Sequence, residues 1–179
     1  MDARATEIVA FWRNAGSDRW FSSDEGFDLT FDKRFRDLHF AAARRELEGW
    51  LDEPESALAL IILLDQFPRN CFRGTAHMYA TDPLARHYAK RAIAAGDHLA
   101  IDAELRVFMI MPLVHSEALA DHDEAVWLAG DLDDKNRKSI AGHRDIIARF
   151  GRFPHRNRLL GRDTTANEAG FLSDGGFSG

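Results

Sequence analysis

The stretch PESALALIILLDQF (residues 54–67) decides the fold, because apolar side chains occupy nearly every face of the helix that it predicts. Pro54 suits a first helical turn, where its missing N–H has no partner to bond. Pro68, directly after the stretch, predicts the end of the helix. A helix that is hydrophobic all round must be enclosed by other elements. The sequence therefore predicts a central helix inside an all-α domain of stacked antiparallel helical hairpins.

Helical spacing recurs before this stretch, with apolar residues three and four positions apart. The first stripe consists of Ala5, Ile8, Val9 and Trp12. The second consists of Phe27, Phe31, Phe35 and Leu38. Each stripe predicts an amphipathic helix that buries one face, and no segment alternates with the period of a β-strand.

Start and stop signals divide the rest of the chain into helices. The sequence TDP (residues 81–83) combines a capping residue with proline and predicts a helix start, and Gly96 predicts the corresponding stop. Thr165 and Glu168 have the spacing of a capping box. Both signals fit short helices joined by tight turns.

The region between these signals predicts three further helices. One begins at Asp102 and is ended or kinked by Pro112. Residues 113–130 continue as helix, and another helix spans about 137–150. We expect a single domain over residues 1–179, with a core of about 5–172 and a frayed tail at 173–179.

Several functional classes are disfavoured by composition. The longest apolar run, residues 57–64, is far shorter than the roughly 20 residues of a membrane span. The start of the chain lacks the basic and apolar regions of a secretory signal. Cys71 is the only cysteine, which fits a reducing compartment. We therefore expect a cytoplasmic protein that does not interact with membranes.

Charge is distributed unevenly along the chain. The net charge is -6, which argues against a dedicated nucleic-acid binder. Residues 135–162 nevertheless hold nine basic residues and one acidic residue, whereas residues 97–134 hold ten acidic residues and one basic residue. Two explanations fit: an antiparallel pair of helices with complementary charges, or a basic pocket with an acidic rim. RNA binding by the basic segment is a third, weaker reading.

Two predicted helix exits resemble each other. FPRN (67–70) is followed by Gly74, and FPHRN (153–157) is followed by Gly161. Proline, arginine, asparagine and glycine all suit the end of a helix, which is the structural explanation. Guanidinium groups also suit carboxylates and phosphates, which is the functional one. The candidate ligand-binding residues are Asp65, Arg69, Asn70, Arg73, Arg149, Arg152, His155, Arg156 and Asn157.

Asp65 lies in the helix that should be buried, where an isolated carboxylate is costly unless it is paired. We predict that it contacts an arginine. Arg69 is the local candidate at i+4, whereas Arg152 or Arg156 would join the two similar turns in space. Asp65 is then either a structural counter-ion or a group that orients a ligand-binding arginine.

His115 lies on an apolar stripe and therefore faces the core or a cleft. It is either a hydrogen-bonded core residue or a general base, which needs a neighbouring carboxylate from Glu117, Asp121 or Asp145. The candidate catalytic residues are His115, Glu117 and His143. Metal binding by these three is only weakly supported, and no metal or cofactor is expected.

The strings LALIILLDQFPRNCFRGTA, YATDPLA, PLVHSE and HRDIIARFGRFPHRNRLLGR resemble the bacterial family called domain of unknown function 924. The resemblance covers nearly the whole chain. It implies an all-helical fold similar to tetratricopeptide-repeat proteins and no established activity. It also implies that the candidate residues above are family hallmarks, together with Gln66, Asp82 and Arg144.

Two functions are consistent with these residues. The first is a binding module whose Arg- and His-lined groove holds a small anion or an acidic peptide end. The alternative is an enzyme of unknown reaction, acting on an anionic phosphate or carboxylate compound with His115 and Glu117. The sequence does not choose an oligomeric state.

Overall fold

Helices and short turns make up the whole of the described chain, residues 2–177, in the computed structural model, and that part contains no strand. The α-helices are α1 (Ala3–Ala15), α2 (Ser17–Trp20), α3 (Glu25–Ala43), α4 (Pro54–Cys71), α5 (Asp82–Ala95), α6 (Asp97–Ala100), α7 (Arg106–Val114), α8 (Leu119–Leu128), α9 (Asp134–Phe150) and α10 (Ala166–Ser173). The 3-10 helices are Glu48–Asp52, Ala76–Tyr79, Ala103–Leu105, Ala129–Asp131 and Pro154–Arg156. The predicted all-α class is confirmed.

Helix α4 is the centre of the molecule. All its residues from Ala57 to Phe67 except Gln66 are fully buried, and α1, α3, α5 and α7 pack around it. Consecutive helices joined by short connections also pack on each other, as α4 does on α5 and α8 does on α9. The apolar character of α4 on all sides is the reason for this arrangement. No helix in residues 2–177 is long and apolar enough to cross a membrane.

Aromatic side chains fill the space between α1 and α3. Phe11 packs on Phe27 and Phe31 with ring centroids 5.0 and 5.3 Å apart. Trp12 packs on Phe31 and, edge-on, on Phe108 of α7. These rings bury large apolar areas and fix α1 and α3 against the centre of the fold. The stripes seen in the sequence are the buried faces of these two helices.

The prediction that α4 ends at Pro68 is wrong, because the helix continues to Cys71. Pro68 has no N–H to donate to the carbonyl of Leu64, four residues earlier. The hydroxyl of Thr81 donates to that carbonyl instead, at 2.6 Å. Thr81 therefore makes no side-chain cap for α5, although the sequence suggested that it would. This bond holds the start of α5, including Asp82, beside the last turns of α4.

The predicted continuous helix over 113–130 is also wrong, because residues 115–118 separate α7 from α8. Side chains stabilise the break. The Ser116 hydroxyl donates to the carboxylate of Asp121 at 2.5 Å, and Nε2 of His122 donates to the Ser116 carbonyl at 2.7 Å. The break turns His115, the residue after α7, toward α4.

The remaining start and stop signals are present. Gly96 ends α5 with a positive φ of 85°, and Thr165 and Glu168 form the predicted capping box of α10. Of the tail for which fraying was predicted, Phe177 packs on His143 with ring centroids 4.5 Å apart. Residues 178–179 lie outside the described part of the chain.

Complementary charge between the acidic and basic segments is present where α8 packs on α9. Nε of Arg144 donates to Asp123 at 2.6 Å across these helices. A second pair joins Arg162 to Glu117 at 2.6 Å. The first explanation of the charge pattern therefore accounts for part of the basic segment, and other residues of that segment line a cavity.

Candidate functional site

A cavity of about 480 Å³ opens between the end of α4, the end of α7, the start of α9 and the segment after it. From α4 it is lined by Arg69, Asn70 and Arg73. From the later elements it is lined by His115, His143, His155 and Arg156. Residues far apart in the sequence thus meet at one solvent-accessible place, including arginines from both of the similar turns.

Asp65 and His115 form the buried base of this site. Nδ1 of His115 lies 2.8 and 3.0 Å from the two carboxylate oxygens of Asp65. A carboxylate only accepts hydrogen bonds, so Nδ1 carries the proton and Nε2 of the neutral ring keeps its lone pair. Burial, together with the charge of Arg69, lowers the pKa of His115. The ring is therefore neutral and held in one tautomer at neutral pH.

The Asp65 side chain is only 1% exposed, and it is bound by Gln66 and Arg69 in addition to His115. Nε2 of Gln66 donates to it at 2.7 Å, and Nη1 of Arg69 lies 3.3 Å away. Burial by itself raises the pKa of Asp65, but the charge of Arg69 and the hydrogen bonds from His115 and Gln66 lower it to about 2. The predicted contact between Asp65 and an arginine is thus formed, with Arg69.

Arg69 is neutralised by two carboxylates. Its Nη1 and Nη2 donate to the two oxygens of Asp82 at 2.8 and 2.9 Å, in a bidentate pair. Nη1 also donates to the backbone carbonyl of Asp65 at 2.7 Å. Burial lowers the pKa of Arg69, but Asp65 and Asp82 outweigh burial and raise it. The guanidinium of Arg69 is therefore largely satisfied within the protein.

Arg73 and Asn70 are tied to another carboxylate. Nε of Arg73 donates to Asp28 at 2.8 Å, and the amide of Asn70 donates to the same side chain at 2.7 Å. Arg73 is about two-fifths exposed. It lies at the rim of the cavity, where it keeps part of its surface free for solvent or a ligand.

Arg156 is different from Arg69, because it is buried with little pairing. Its side chain is 7% exposed, and its only hydrogen bond within residues 2–177 joins Nη1 to Asp82 at 3.5 Å. Its Nε has no hydrogen-bond partner in the described part of the chain. The guanidinium lies between the rings of Tyr79 and Phe153, 4.6 and 4.5 Å from their centroids. Burial lowers the pKa of Arg156, and the charge of Asp82, which raises it, only partly offsets this effect.

His143 and His155 flank Arg156 on the cavity wall. Nδ1 of His143 donates to the Ser139 carbonyl at 2.7 Å, whereas Nδ1 of His155 is buried with no partner among the described residues. Burial is the main cause that lowers the pKa of each ring to about 4, and the neighbouring Arg156 contributes. Both rings are therefore neutral at neutral pH, and negative charge placed beside them favours their protonation.

The other candidate residues are not among those that line the cavity. Arg149 lines a neighbouring surface pocket with Phe150 and Phe171, and this pocket shares His143 with the cavity. Nε of Arg152 donates to Glu168 at 2.6 Å. Asn157 is buried and donates weakly to Thr164 at 3.4 Å. Arg152 and Asn157 hold the last turn and α10 in place, and the carboxylate that accepts from Arg152 also caps α10.

Glu117 does not pair with His115, contrary to expectation. Its carboxylate accepts from Arg162 at 2.6 and 3.0 Å and from the backbone N–H of Phe153 at 2.9 Å. Asp121 is bound by Lys90, and Asp145 lines the surface pocket. The carboxylate beside His115 is Asp65, fifty residues earlier in the sequence. The pair was not predicted because its two residues are far apart in the sequence.

Several residues of the site were missed as functional from the sequence. Tyr79 lies between the two arginines, with its ring centroid 5.9 Å from the guanidinium of Arg69. Asp82 binds both arginines; the family resemblance marked it as a hallmark, but its local position before Pro83 suggested only a helix start. Two positions of α9, Lys135 and Ser139, also line the cavity. Tyr79 and Asp82 both contact Arg69 and Arg156. Their closeness in the sequence, three positions apart, is the only local signal for this shared role.

The hypothesis of a metal site at His115, Glu117 and His143 finds no geometric support. Glu117 is bound by Arg162, and His115 faces Asp65. Among residues 2–177, no group of three or more His, Cys, Asp or Glu side chains could hold a metal ion.

Comparison with known proteins places the chain in a family. Residues 8–176 match the family described as "Bacterial protein of unknown function (DUF924)". The chain belongs to this family. The resemblance that its motifs suggested is therefore confirmed, and the family carries no assigned activity. No curated protein matches the chain.

A solved structure shares this fold. It is that of a protein of unknown function from Agrobacterium tumefaciens, which is 55% identical in sequence. The similarity covers 96% of this chain and 98% of that chain, with a TM-score of 0.94. The helical arrangement around α4 is therefore shared by an experimentally determined relative.

Proposed function

We propose that the protein binds a small anion in the cavity beside Arg156. The observation that carries the proposal is the state of this guanidinium, which is buried, lies between two rings and makes one long hydrogen bond to Asp82. Burying a charged group without full pairing costs free energy. An anion that accepts from Arg156 supplies the missing partner.

The charges around the cavity support an anionic ligand. Its lining includes four basic side chains and three histidines, and among the described residues, 2–177, no carboxylate lines it. The nearest carboxylates, those of Asp28, Asp65 and Asp82, already accept from Arg73, His115 and Arg69. A cation would therefore meet no free acceptor of matching charge, whereas phosphate, sulfate or carboxylate meets several donors.

The test is thermal unfolding with and without sulfate at matched ionic strength. At ten times its Kd, a ligand adds about 1.4 kcal/mol of stability, which is an increase in Tm of about 3–5 °C for a chain of this size. We expect this increase in the wild type and its loss in Arg156→Gln. The matched control is Arg158→Gln, which removes an exposed charge two residues away.

The possible results distinguish binding at Arg156 from binding elsewhere and from no anion binding. An increase in Tm that survives in Arg156→Gln shows binding elsewhere on the molecule and contradicts the proposed site. Absence of any increase with sulfate, phosphate or acetate contradicts anion binding. An acetylated dipeptide tests the acidic peptide end as the occupant, since it offers the same carboxylate with a chain attached.

A second candidate function, enzymatic proton transfer, is favoured by the hydrogen bond between Asp65 and His115. This bond leaves Nε2 of His115 unprotonated in a cavity that also holds Arg156, so the ring is able to act as a general base. Asp65 is the positioning residue in this reading, in the place first assigned to Glu117.

Nitrophenyl esters of phosphate and of small carboxylic acids test this second candidate. Turnover is expected to disappear in His115→Ala and to persist in His87→Ala, whose ring is exposed and distant from the lining of the cavity. The absence of turnover on all these esters contradicts a hydrolytic role for His115 and leaves the anion-binding proposal standing.

A further inference from the structure

One wall of the cavity is apolar and has no role in holding an inorganic anion. It is formed by Trp20 and Phe21, at the end of α2, and by Met111 of α7. Trp20 and Met111 are nearly buried, whereas Phe21 is 51% exposed. A large aromatic side chain left half-exposed beside charged groups is typical of small-molecule sites, which combine apolar walls with few polar groups.

This wall is fixed in place. The indole N–H of Trp20 donates to the carbonyl of Trp12 at 2.7 Å, so its polar atom is satisfied away from a ligand. The rings of Trp20 and Phe21 both pack on Phe108, with centroids 5.1 and 5.9 Å away. A ligand therefore meets a preformed apolar surface, and binding does not have to order it.

The volume of the cavity agrees with a ligand larger than an inorganic ion. At about 480 Å³, it lies within the range of about 300–1,000 Å³ that is usual for small-molecule sites. A sulfate or phosphate beside Arg156 fills only a small part of this space. Trp20 and Phe21 line the same cavity and offer apolar surface to a larger ligand.

From this arrangement we infer that the ligand is an organic anion with a compact apolar body, of about the size of a phenyl ring. Its anionic group faces Arg156, and its body lies against Trp20 and Phe21. This inference rests on the proposed anion-binding function and adds the chemical class of the ligand. Phosphate and carboxylate share the required charge, and the experiment below distinguishes them.

Isothermal titration calorimetry with methyl phosphate and phenyl phosphate tests the inference. The two monoesters carry the same anionic group and differ only in the body. Burial of a phenyl ring is expected to make phenyl phosphate bind about tenfold more tightly. Acetate and phenylacetate form a second pair, and the pair with the higher affinities identifies the preferred anionic group.

Two variants locate the body of the ligand. Phe21→Ser removes part of the wall and is expected to reduce the advantage of phenyl phosphate to about threefold, while the affinity for methyl phosphate is unchanged. Leu29→Ser is the matched control, because Leu29 is a 69% exposed apolar residue outside the cavity. It is expected to change neither affinity.

Failure of this inference differs from failure of anion binding itself. If both esters bind equally and both depend on Arg156, the anion site stands and the apolar body is refuted. If the advantage of phenyl phosphate persists fully in Phe21→Ser, the wall is not its contact and the inference is overturned. If neither ester nor inorganic phosphate binds, the anion-binding proposal and this inference fall together.

Discussion

The two turns that look alike in the sequence have different physical states. In the first, 67–74, α4 continues through Pro68 and Arg69 is paired with Asp65 and Asp82. In the second, 153–161, a 3-10 helix replaces the α-helix and Arg156 makes one long bond to Asp82. The carboxylates within reach, more than the local motif, decide that Arg69 is fully paired and that Arg156 is buried with little pairing.

Asp82 is the residue that joins the turns and sets this difference. Both of its oxygens accept from Arg69, and one of them is also 3.5 Å from Arg156. The negative charge of Asp82 therefore acts mostly on Arg69, in the first turn. Substitutions in the first turn are expected to change stability, and substitutions in the second turn are expected to change ligand affinity.

The largest effect is expected on lowering the pH, which protonates the histidines that line the cavity beside Arg156. Burial lowers the pKa of His143 and His155 to about 4, so the unfolded chain takes up protons first as the pH falls below about 6.5. The free energy of unfolding is expected to fall by roughly 3–5 kcal/mol between pH 6.5 and pH 4. Urea unfolding at several pH values measures it.

The variants for this experiment are His155→Asn and the control His87→Asn. His155→Asn is expected to reduce the pH dependence in this window, because one of the rings with a lowered pKa is gone. His87 is exposed, and its replacement is expected to leave the dependence unchanged. Equal slopes in all three proteins would show that these rings do not titrate in this way.

The next effect concerns the first turn. Arg69→Gln leaves the carboxylate of Asp65 buried without its nearest cation, and the expected cost is about 3 kcal/mol of unfolding free energy. Arg144→Gln breaks the exposed pair with Asp123 and is expected to cost less than about 0.5 kcal/mol. Urea unfolding of both variants measures the ratio. Similar costs would contradict the assignment of Arg69 as a structural cation.

A smaller effect is expected for the second turn. Arg156→Gln is expected to change the unfolding free energy by less than about 1 kcal/mol, because the guanidinium is buried with little pairing. Asp82 keeps its two bonds to Arg69 in this variant. The same urea experiment compares it directly with Arg69→Gln. A loss as large as that of Arg69→Gln would show that Arg156 is structural too.

The smallest effect on ligand binding is expected at Arg152, a residue close to Arg156 in sequence. Arg152 is bound to Glu168 and does not line the cavity. Arg152→Gln is therefore expected to weaken the docking of α10 and to leave the sulfate affinity unchanged. Calorimetry with sulfate measures it, and a clear loss of affinity would extend the site to this residue.

Sequence reasoning predicted the helical class because the stretch at 54–67 is apolar on every face, which only enclosure by other helices can satisfy. It failed where distant side chains replace local rules. Pro68 stays inside α4 because the hydroxyl of Thr81 satisfies the carbonyl of Leu64. The predicted helix at 113–130 is broken because Asp121 and His122 bind Ser116 and stabilise a turn there. No local sequence pattern predicted this turn.

The sequence predicted several residues of the candidate site, but it did not predict which of them pair with each other. Arg69 and Arg156 were recognised at helix exits and His115 on an apolar helical stripe, and all three line one cavity. The partner of His115 was sought among its sequence neighbours, whereas Asp65 comes from another helix. Long-range pairing depends on the packing of α4 against α7, and a single sequence does not encode it in any local spacing.

The most direct test of the account is a crystal grown with selenate, a tetrahedral dianion whose selenium is located by anomalous scattering. The account predicts a selenate in the cavity with its oxygens within about 3.5 Å of the guanidinium of Arg156. Selenate bound only at exposed arginines or lysines, with Arg156 unchanged between Tyr79 and Phe153, would contradict it.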